Sequence, residues 1–205
     1  QSEEYLKKCL LSLESKISNI DFEIFVVNNG DKNLSPDINF PLNQSGPFAK
    51  GESLKIINLG ENLGFGKANN LGAKKANGEY LLFLNPDTEI VSENIKELLN
   101  EFSSNPNIGI IGPKLVTESG NIQEWIAGYE TGLASLIKNN LGIIKNKIIW
   151  DSKEKKEADW VTGAALFIRK DLFEKLGGFD ENFFMYFEAE DLCKRARQAG
   201  YNIIY

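Results

Sequence analysis

Apolar residues in the first seventeen positions recur at helical spacing. Leu6, Leu10, Leu13 and Ile17 form one stripe behind Ser2, Glu3 and Glu4, an N-cap with acids in the first turn. A helix is therefore predicted at once. Glu23-Ile-Phe-Val-Val-Asn28 is a β-branched and aromatic run closed by the turn signal Asn29-Gly30-Asp31, the pattern of a buried strand. Residues 31–53 carry Pro36, Pro41, Pro47, Gly46 and Gly51 without periodicity and read as a loop. Further strands are predicted at 55–59, 79–84 and 108–111. The glycine-rich turn Gly60 to Gly66 feeds a helical segment from Lys67 to Asn77, and Ser92 is expected to cap a helix reaching Phe102.

The second half is less regular. A strand or hairpin is expected near Asn121 to Ile126, a weak helix from Leu133 to Asn139, and a solvated lysine-rich loop from Lys145 to Lys156. Asp159 to Arg169 reads as a strand entering a helix at Lys170 to Leu176. Glu188 to Ala199 reads as a helix with Leu192, Cys193, Ala196 and Ala199 on its apolar face, and a last strand starts at Asn202. Strand and helix alternating in this way imply an α/β fold, a parallel sheet covered on both faces.

Composition narrows the chemistry. The 205 residues suit one domain, with 42% apolar residues and a net charge of −6. That acidity argues against nucleic acid as a partner, so a polyanionic ligand has to be met by a metal or by backbone amides. Histidine is absent, which removes Ser-His-Asp and Cys-His catalysis and leaves carboxylates as the obvious acid and base groups. Cys9 and Cys193, far apart and in no metal-like spacing, read as free thiols in a reduced compartment. No apolar run approaches the ~18 residues of a membrane span.

In open α/β sheets ligands bind beyond the carboxyl ends of the strands. Three polar clusters stand there: Asn28-Asn29-Gly30-Asp31, Asn58 to Gly64, and Asn85-Pro86-Asp87. Each also has a plain reading as an Asn/Gly turn. Asp87, a lone carboxylate ending an apolar strand, can hold Mg²⁺ or Mn²⁺ whose remaining ligands are substrate phosphates, or it can cap a turn. Glu188 and Asp191, three apart at a helix start, share one side of that helix, with Arg195 one turn beyond Asp191. They are either a general base and its neighbour or acids complementing the helix dipole. The aromatic run Phe183 to Phe187 ahead of them is either an apolar wall or core.

Five blocks in order resemble glycosyltransferase family 2, and in particular its bacterial rhamnosyltransferase-like branch. They are Asn62-Leu-Gly-Phe-Gly-Lys-Ala-Asn-Asn-Leu-Gly72, Leu82-Phe-Leu-Asn-Pro-Asp-Thr88, Trp160-Val-Thr-Gly-Ala-Ala165, Gly177-Gly-Phe-Asp-Glu-Asn-Phe-Phe184, and Asp191-Leu-Cys-Lys-Arg195 with Ala199-Gly-Tyr201. The resemblance implies a GT-A fold, a Rossmann-like three-layer sandwich with a mixed, mainly parallel sheet. It also implies a nucleotide-sugar donor (dTDP-, UDP- or GDP-linked), a divalent cation, and inverting transfer to a glycan or lipid-linked acceptor in surface polysaccharide assembly. The site implied is cytoplasmic, with peripheral association at the inner membrane face as an option.

Residue by residue, the family's Asp-x-Asp metal motif corresponds to Asn85-Pro86-Asp87, with Asp87 carrying the cation. Asn28, Asn29 and Asp31, with Asn62, Gly64 and Asn70, match the nucleotide side, and Gly163 and Ala164 the donor-sugar pocket. Asp191, with Glu188 second, matches the acidic motif that supplies the base, although Ala189 stands where many relatives have Asp. The family's first strand should precede residue 1 and a further metal-binding histidine should follow Tyr205, so residues 1–205 are expected to be one domain cut at both ends. Two other readings stay open: a sugar-phosphate nucleotidylyltransferase, and a non-catalytic carbohydrate- or nucleotide-binding domain.

Overall fold

Helix α1 (Ser2–Lys16) places Glu3 and Glu4 in its first turn and Lys16 in its last, each complementing the helix dipole, and buries Cys9, Leu10 and Leu13. It belongs to a computed structural model that describes residues 2–34, 54–130 and 147–205. Strands β1 (Ile24–Asn28) and β2 (Leu54–Asn58) pair in parallel, from Ile24 opposite Leu54 to Asn28 opposite Asn58. Helix α2 (Phe65–Ala73) lies on β1 so closely that a Cβ at Gly72 would fall 2.8 Å from the Val27 side chain. That contact explains a glycine inside a helix.

Strand β3 (Tyr80–Leu84), helix α3 (Ile95–Ser104) and strand β4 (Ile108–Ile111) follow, then β5 (Ala127–Gly128), α4 (Lys147–Trp150), β6 (Glu157–Ala158) and β7 (Trp160–Val161). The chain continues through β8 (Ala165–Arg169), α5 (Lys170–Lys175), α6 (Glu188–Gln198) and β9 (Asn202–Ile204). The main sheet has the order β3-β8-β4-β9-β6, and β5 pairs with β7 in a separate ribbon. Side chains alternate across the main sheet. Leu81, Phe83, Leu166 and Ile168 join one core with α5 and α6, whereas Tyr80, Leu82 and Phe167 join another with α1 and α3. The result is the expected three-layer α/β arrangement.

The pairing corrects the expectation of a mainly parallel sheet. β3 and β4 do flank a helix as successive strands, but they are not neighbours: β8 returns between them, antiparallel to both. β6 is also antiparallel to β9, so in the main sheet only β4 with β9 is parallel. Arg169 at the end of β8 then closes α3. Its guanidinium donates to the carbonyls of Ile108 (2.9 Å), Phe102 and Asn105 and lies over the Phe102 ring. A buried phenylalanine contributes ~1.5–3 kcal/mol, so this corner is well anchored.

Other expectations shift. Ser92 does not cap α3, whose N-cap position is Asn94. The lysine-rich segment is not wholly a solvated loop, because α4 buries Ile149 and Trp150. Near Asn121 to Ile126 there is only a bridge between Val116 and Ile122, and the paired strand is β5 just beyond. The single strand expected from Asp159 to Arg169 is broken at Thr162-Gly163-Ala164 into β7 and β8. Ala199 is exposed, off the apolar face of α6. The helix expected at Leu133 to Asn139 and most of the loop at 31–53 lie outside the described residues. Among the described residues no helix is long and apolar enough to cross a membrane.

Candidate active site

The loops after β1 and β2 are laced together by asparagine amides. Asn28 Nδ2 donates to Asn58 Oδ1 (2.7 Å) and to the Lys32 carbonyl (2.7 Å), while Asn58 closes on both backbone groups of Leu34. Asn29 Nδ2 donates to Asn62 Oδ1 (3.0 Å) and the Gly64 carbonyl (3.2 Å), and its Oδ1 accepts from the Leu63 amide (2.7 Å). Asn62 Oδ1 also accepts from the Gly64 amide. The turns are thus prebuilt, and Asp31 stands exposed beside them. Gly64 has φ of +85° and a Cβ there would lie 2.5 Å from the Phe184 carbonyl oxygen, so two independent constraints demand glycine. That same carbonyl accepts the Phe65 amide at 3.0 Å.

At the end of β3, the Asn85 amide donates to the Ala164 carbonyl (2.9 Å), which brings the break between β7 and β8 beside the Asn85-Pro86-Asp87 turn. Helix α1 braces this turn from behind. Ser12 Oγ accepts the Ile90 amide at 2.9 Å, and Cys9 Sγ lies 4.0 Å from the Asn85 carbonyl oxygen. Burial, with the charges of Glu89 and Asp87, pushes the Cys9 thiol up to about 11. Asp87 itself is exposed. Gly163 approaches α6 and α2: a Cβ there would meet the Phe65 ring at 3.2 Å and the Ala189 Cβ at 3.5 Å.

The third side runs from Gly177 to Asp191. Asn70 is buried in α2 and clamps this segment: its Oδ1 accepts the Phe179 amide (2.9 Å), and its Nδ2 donates to the Phe179 carbonyl (2.9 Å) and Glu181 Oε1 (3.1 Å). Phe179 then packs edge-on against Phe65, Phe83 and Phe173. At the start of α6, Glu188 is only 7% exposed and its Oε2 is buried without a hydrogen-bond partner among the described residues. Burial raises its pKa above the ordinary glutamate range. Glu190 is raised too, by burial and then by the charge of Glu188. Gly66 of α2 lies against this segment: a Cβ there would meet the Phe179 Cβ at 3.1 Å and the Glu188 Cβ at an ordinary contact distance of 3.8 Å. Asp191 has a different setting: it pairs with Arg195 at 2.7 Å, and Arg195 also donates to the Leu176 carbonyl.

These contacts link the segments in a chain of neighbours. Asn29, Asn62 and Gly64 lead to Phe184; Glu188 and Ala189 lead to Gly163; Ala164 leads to Asn85 and Asp87. Three predicted site residues have side chains engaged by their neighbours. The Asn70 amide holds the Phe179 segment, and the Asp191 carboxylate is in its ion pair. The Asn28 amide likewise faces Asn58 and Lys32. Sequence reasoning gave Gly66, Asn58 and the Phe184 carbonyl no site role of their own, although each lies in a stretch it singled out; a second glycine beside Gly64 at a helix start was the available signal. Among the described residues no group of three or more Cys, Asp or Glu side chains could hold a metal by itself.

A model of the family described as Glycosyl transferase family 2 matches residues 1–177. The chain belongs to this family. Its fold is the GT-A fold, also seen in the structure of GalNAc-T7 with UDP, GalNAc and Mn²⁺. That likeness has a TM-score of 0.68 at 17% identity and covers 98% of this chain and 38% of the other. A low-salt glycan biosynthesis hexosyltransferase, Agl10 of Haloferax volcanii, is 30% identical over 208 residues, covering 99% of this chain and 61% of its own length. An N-acetylglucosaminyl-diphospho-decaprenol L-rhamnosyltransferase of Mycobacterium tuberculosis is 24% identical, covering 99% and 68%. The chain therefore spans less than two thirds of the Haloferax protein. As a family 2 domain it is similar to hexosyl- and rhamnosyltransferases of glycan assembly.

Proposed function

We propose that this chain transfers a sugar from a nucleoside-diphosphate donor to an acceptor hydroxyl with inversion, and that Glu188 is the general base. The observation that carries this reading is the buried Glu188 carboxylate with an unpartnered oxygen, at the start of α6 beside Gly66 of α2 and next to Ala189, which faces Gly163. A carboxylate in a dry setting is a stronger base toward a hydroxyl than a hydrated one. In the proposed step the acceptor hydroxyl gives its proton to Glu188 and its oxygen bonds to the anomeric carbon. The bond from that carbon to the β-phosphate oxygen breaks, and the nucleoside diphosphate departs with the electron pair. The sequence ranks Asp191 ahead of Glu188; the Arg195 pair favours the reverse order, because the Asp191 carboxylate is already engaged at 2.7 Å by the guanidinium while Glu188 keeps an oxygen without a partner among the described residues.

The donor's nucleotide is assigned to the turns held by Asn28, Asn29 and Asn62, with Asp31 beside them, and its sugar to the backbone around Gly163 and Ala164. A divalent cation fits Asp87, an exposed carboxylate that takes part in no hydrogen bond or ion pair among the described residues. Since no group of three or more acids gathers there among the described residues, phosphate oxygens have to supply most of the ion's ligands, the ordinary arrangement for Mg²⁺. When bound, such an ion neutralises charge gathering on the leaving diphosphate. The similarity to a transferase named for a diphospho-decaprenol substrate supports a lipid-linked acceptor. With such an acceptor the work belongs at the cytoplasmic face of a membrane.

Calorimetry on the intact protein tests the donor side. UDP, GDP or dTDP is expected to bind with Mn²⁺, and Asp87→Ala to weaken that binding at least tenfold. Equal affinity with and without Mn²⁺, or in the variant, removes the cation from the reading.

A further inference from the structure

Directly ahead of Glu188, four successive large apolar residues face solvent: Phe184 at 58%, Met185 at 56%, Tyr186 at 72% and Phe187 at 65% exposure. Tyr186 and Phe187 also have φ of +68° and +67°, a backbone region that side-chain-bearing residues avoid. Neither strain nor exposure benefits the fold, since glycine or a polar residue would relieve both. Conformations of this kind concentrate at ligand clamps. The turn is nonetheless held in place, through the hydrogen bond from the Phe65 amide to the Phe184 carbonyl and through the close approach of Gly64.

We propose that this aromatic turn is a stacking platform for a neutral sugar ring, the acceptor saccharide, seated beside the start of α6 that carries Glu188. The identity of the occupant as acceptor rests on the transfer reading above. Three observations choose a sugar over other partners. The platform joins the donor-side loop at Gly64 on one side and the orphan carboxylate on the other, so its occupant lies between them. A buried carboxylate oxygen without a partner calls for a hydrogen-bond donor, and a hydroxyl-bearing ring brings one together with an apolar face for the aromatic rings. Asp180 and Glu181 precede the turn and Glu190 follows it, a charge pattern that disfavours an anionic lipid surface or a phosphate-bearing polymer.

Saturation-transfer NMR on the intact protein, with methyl glycosides of hexoses and 2-acetamido-hexoses as probes, tests the platform. At least one probe is expected to receive saturation on its ring C–H protons. Tyr186→Gly is expected to reduce the signal at least fivefold while leaving the melting temperature unchanged or higher, because glycine adopts φ of +68° without strain. Phe187→Ala is expected to reduce the signal as well. No saturation in the wild type, or undiminished saturation in both variants, overturns the proposal. So does loss of phosphatidylcholine-vesicle binding in these variants with sugar binding untouched, which makes the platform a membrane contact. UDP, GDP and dTDP titrations with Mn²⁺ on the same samples separate the two readings. Sugar binding through the turn without nucleotide binding sinks the transferase and keeps the platform; nucleotide binding without sugar binding sinks only the platform.

Discussion

The two sides of the candidate site, here its two rims, treat their polar groups in opposite ways. On the β1 and β2 side, Asn28, Asn29, Asn58 and Asn62 satisfy one another and the loop backbones, so the turns are rigid before any ligand arrives. On the α6 side, Glu188 keeps a buried oxygen unpaired and Tyr186 and Phe187 hold left-handed backbone. The first rim is built for stability. The second departs from it where the proposed chemistry takes place, which is where unsatisfied groups in native structures are most informative.

Exchanging the charge at the second rim has the largest expected effect. Glu188→Gln is expected to lower kcat by about two to four decades, as loss of a general base does, with donor affinity retained. In the wild type kcat/KM should rise with pH through an apparent pKa above the ~4.3 of an ordinary glutamate. The same raised pKa sets the sign for stability. Below the unfolded value both states hold the proton and there is no penalty; as pH climbs through the folded value the wild type loses stability. Glu188→Gln should therefore melt higher than wild type at neutral pH and equally at acid pH. A lower melting temperature at pH 7 means that the carboxylate is satisfied after all.

The hydrogen-bonded supports of the α6 side should respond in the opposite sense. Asn70→Ala leaves the Phe179 amide and carbonyl without partners, at ~1–3 kcal/mol, and each kcal/mol lowers the melting temperature by roughly 2–4 °C for a chain of this size. If heat scans on this variant match the wild type, Asn70 is not the clamp. Asp191→Asn is the smallest: it loses an i,i+4 pair worth ~0.3–0.5 kcal/mol, and kcat is expected to stay within about tenfold. A loss of several decades there, with Glu188→Gln active, exchanges the two roles.

Strands β1, β3 and β4 and helix α6 were legible because their apolar periodicity is local. The β8 insertion was not. Nothing in Ala165 to Arg169 says which two strands it will separate, since both partners lie 50 to 90 residues upstream. α4 was hidden because lysines on either side of Ile148, Ile149 and Trp150 dominate a charge reading, yet the two apolar side chains described there are buried. The three polar strand ends and the acidic start of α6 were visible as types and positions. Their division into structural and reactive members was not, with one exception: Arg195 four residues after Asp191 already signals an ion pair. The segment leading to Glu188 packs through Phe179 against Gly66, more than a hundred residues earlier, a contact that no local pattern announces.

The threading of β8 between β3 and β4 also governs when the crevice can come into being. The Asn85 to Ala164 hydrogen bond and the Gly163 approach to Ala189 both need this returning strand. Synthesis runs from the N-terminus, so a ribosome that has delivered the asparagine-laced turns and Asp87 has still to make the strand and helix that pack beside them. On the proposed reading a nascent chain stays inert until the final fifth of these residues emerges.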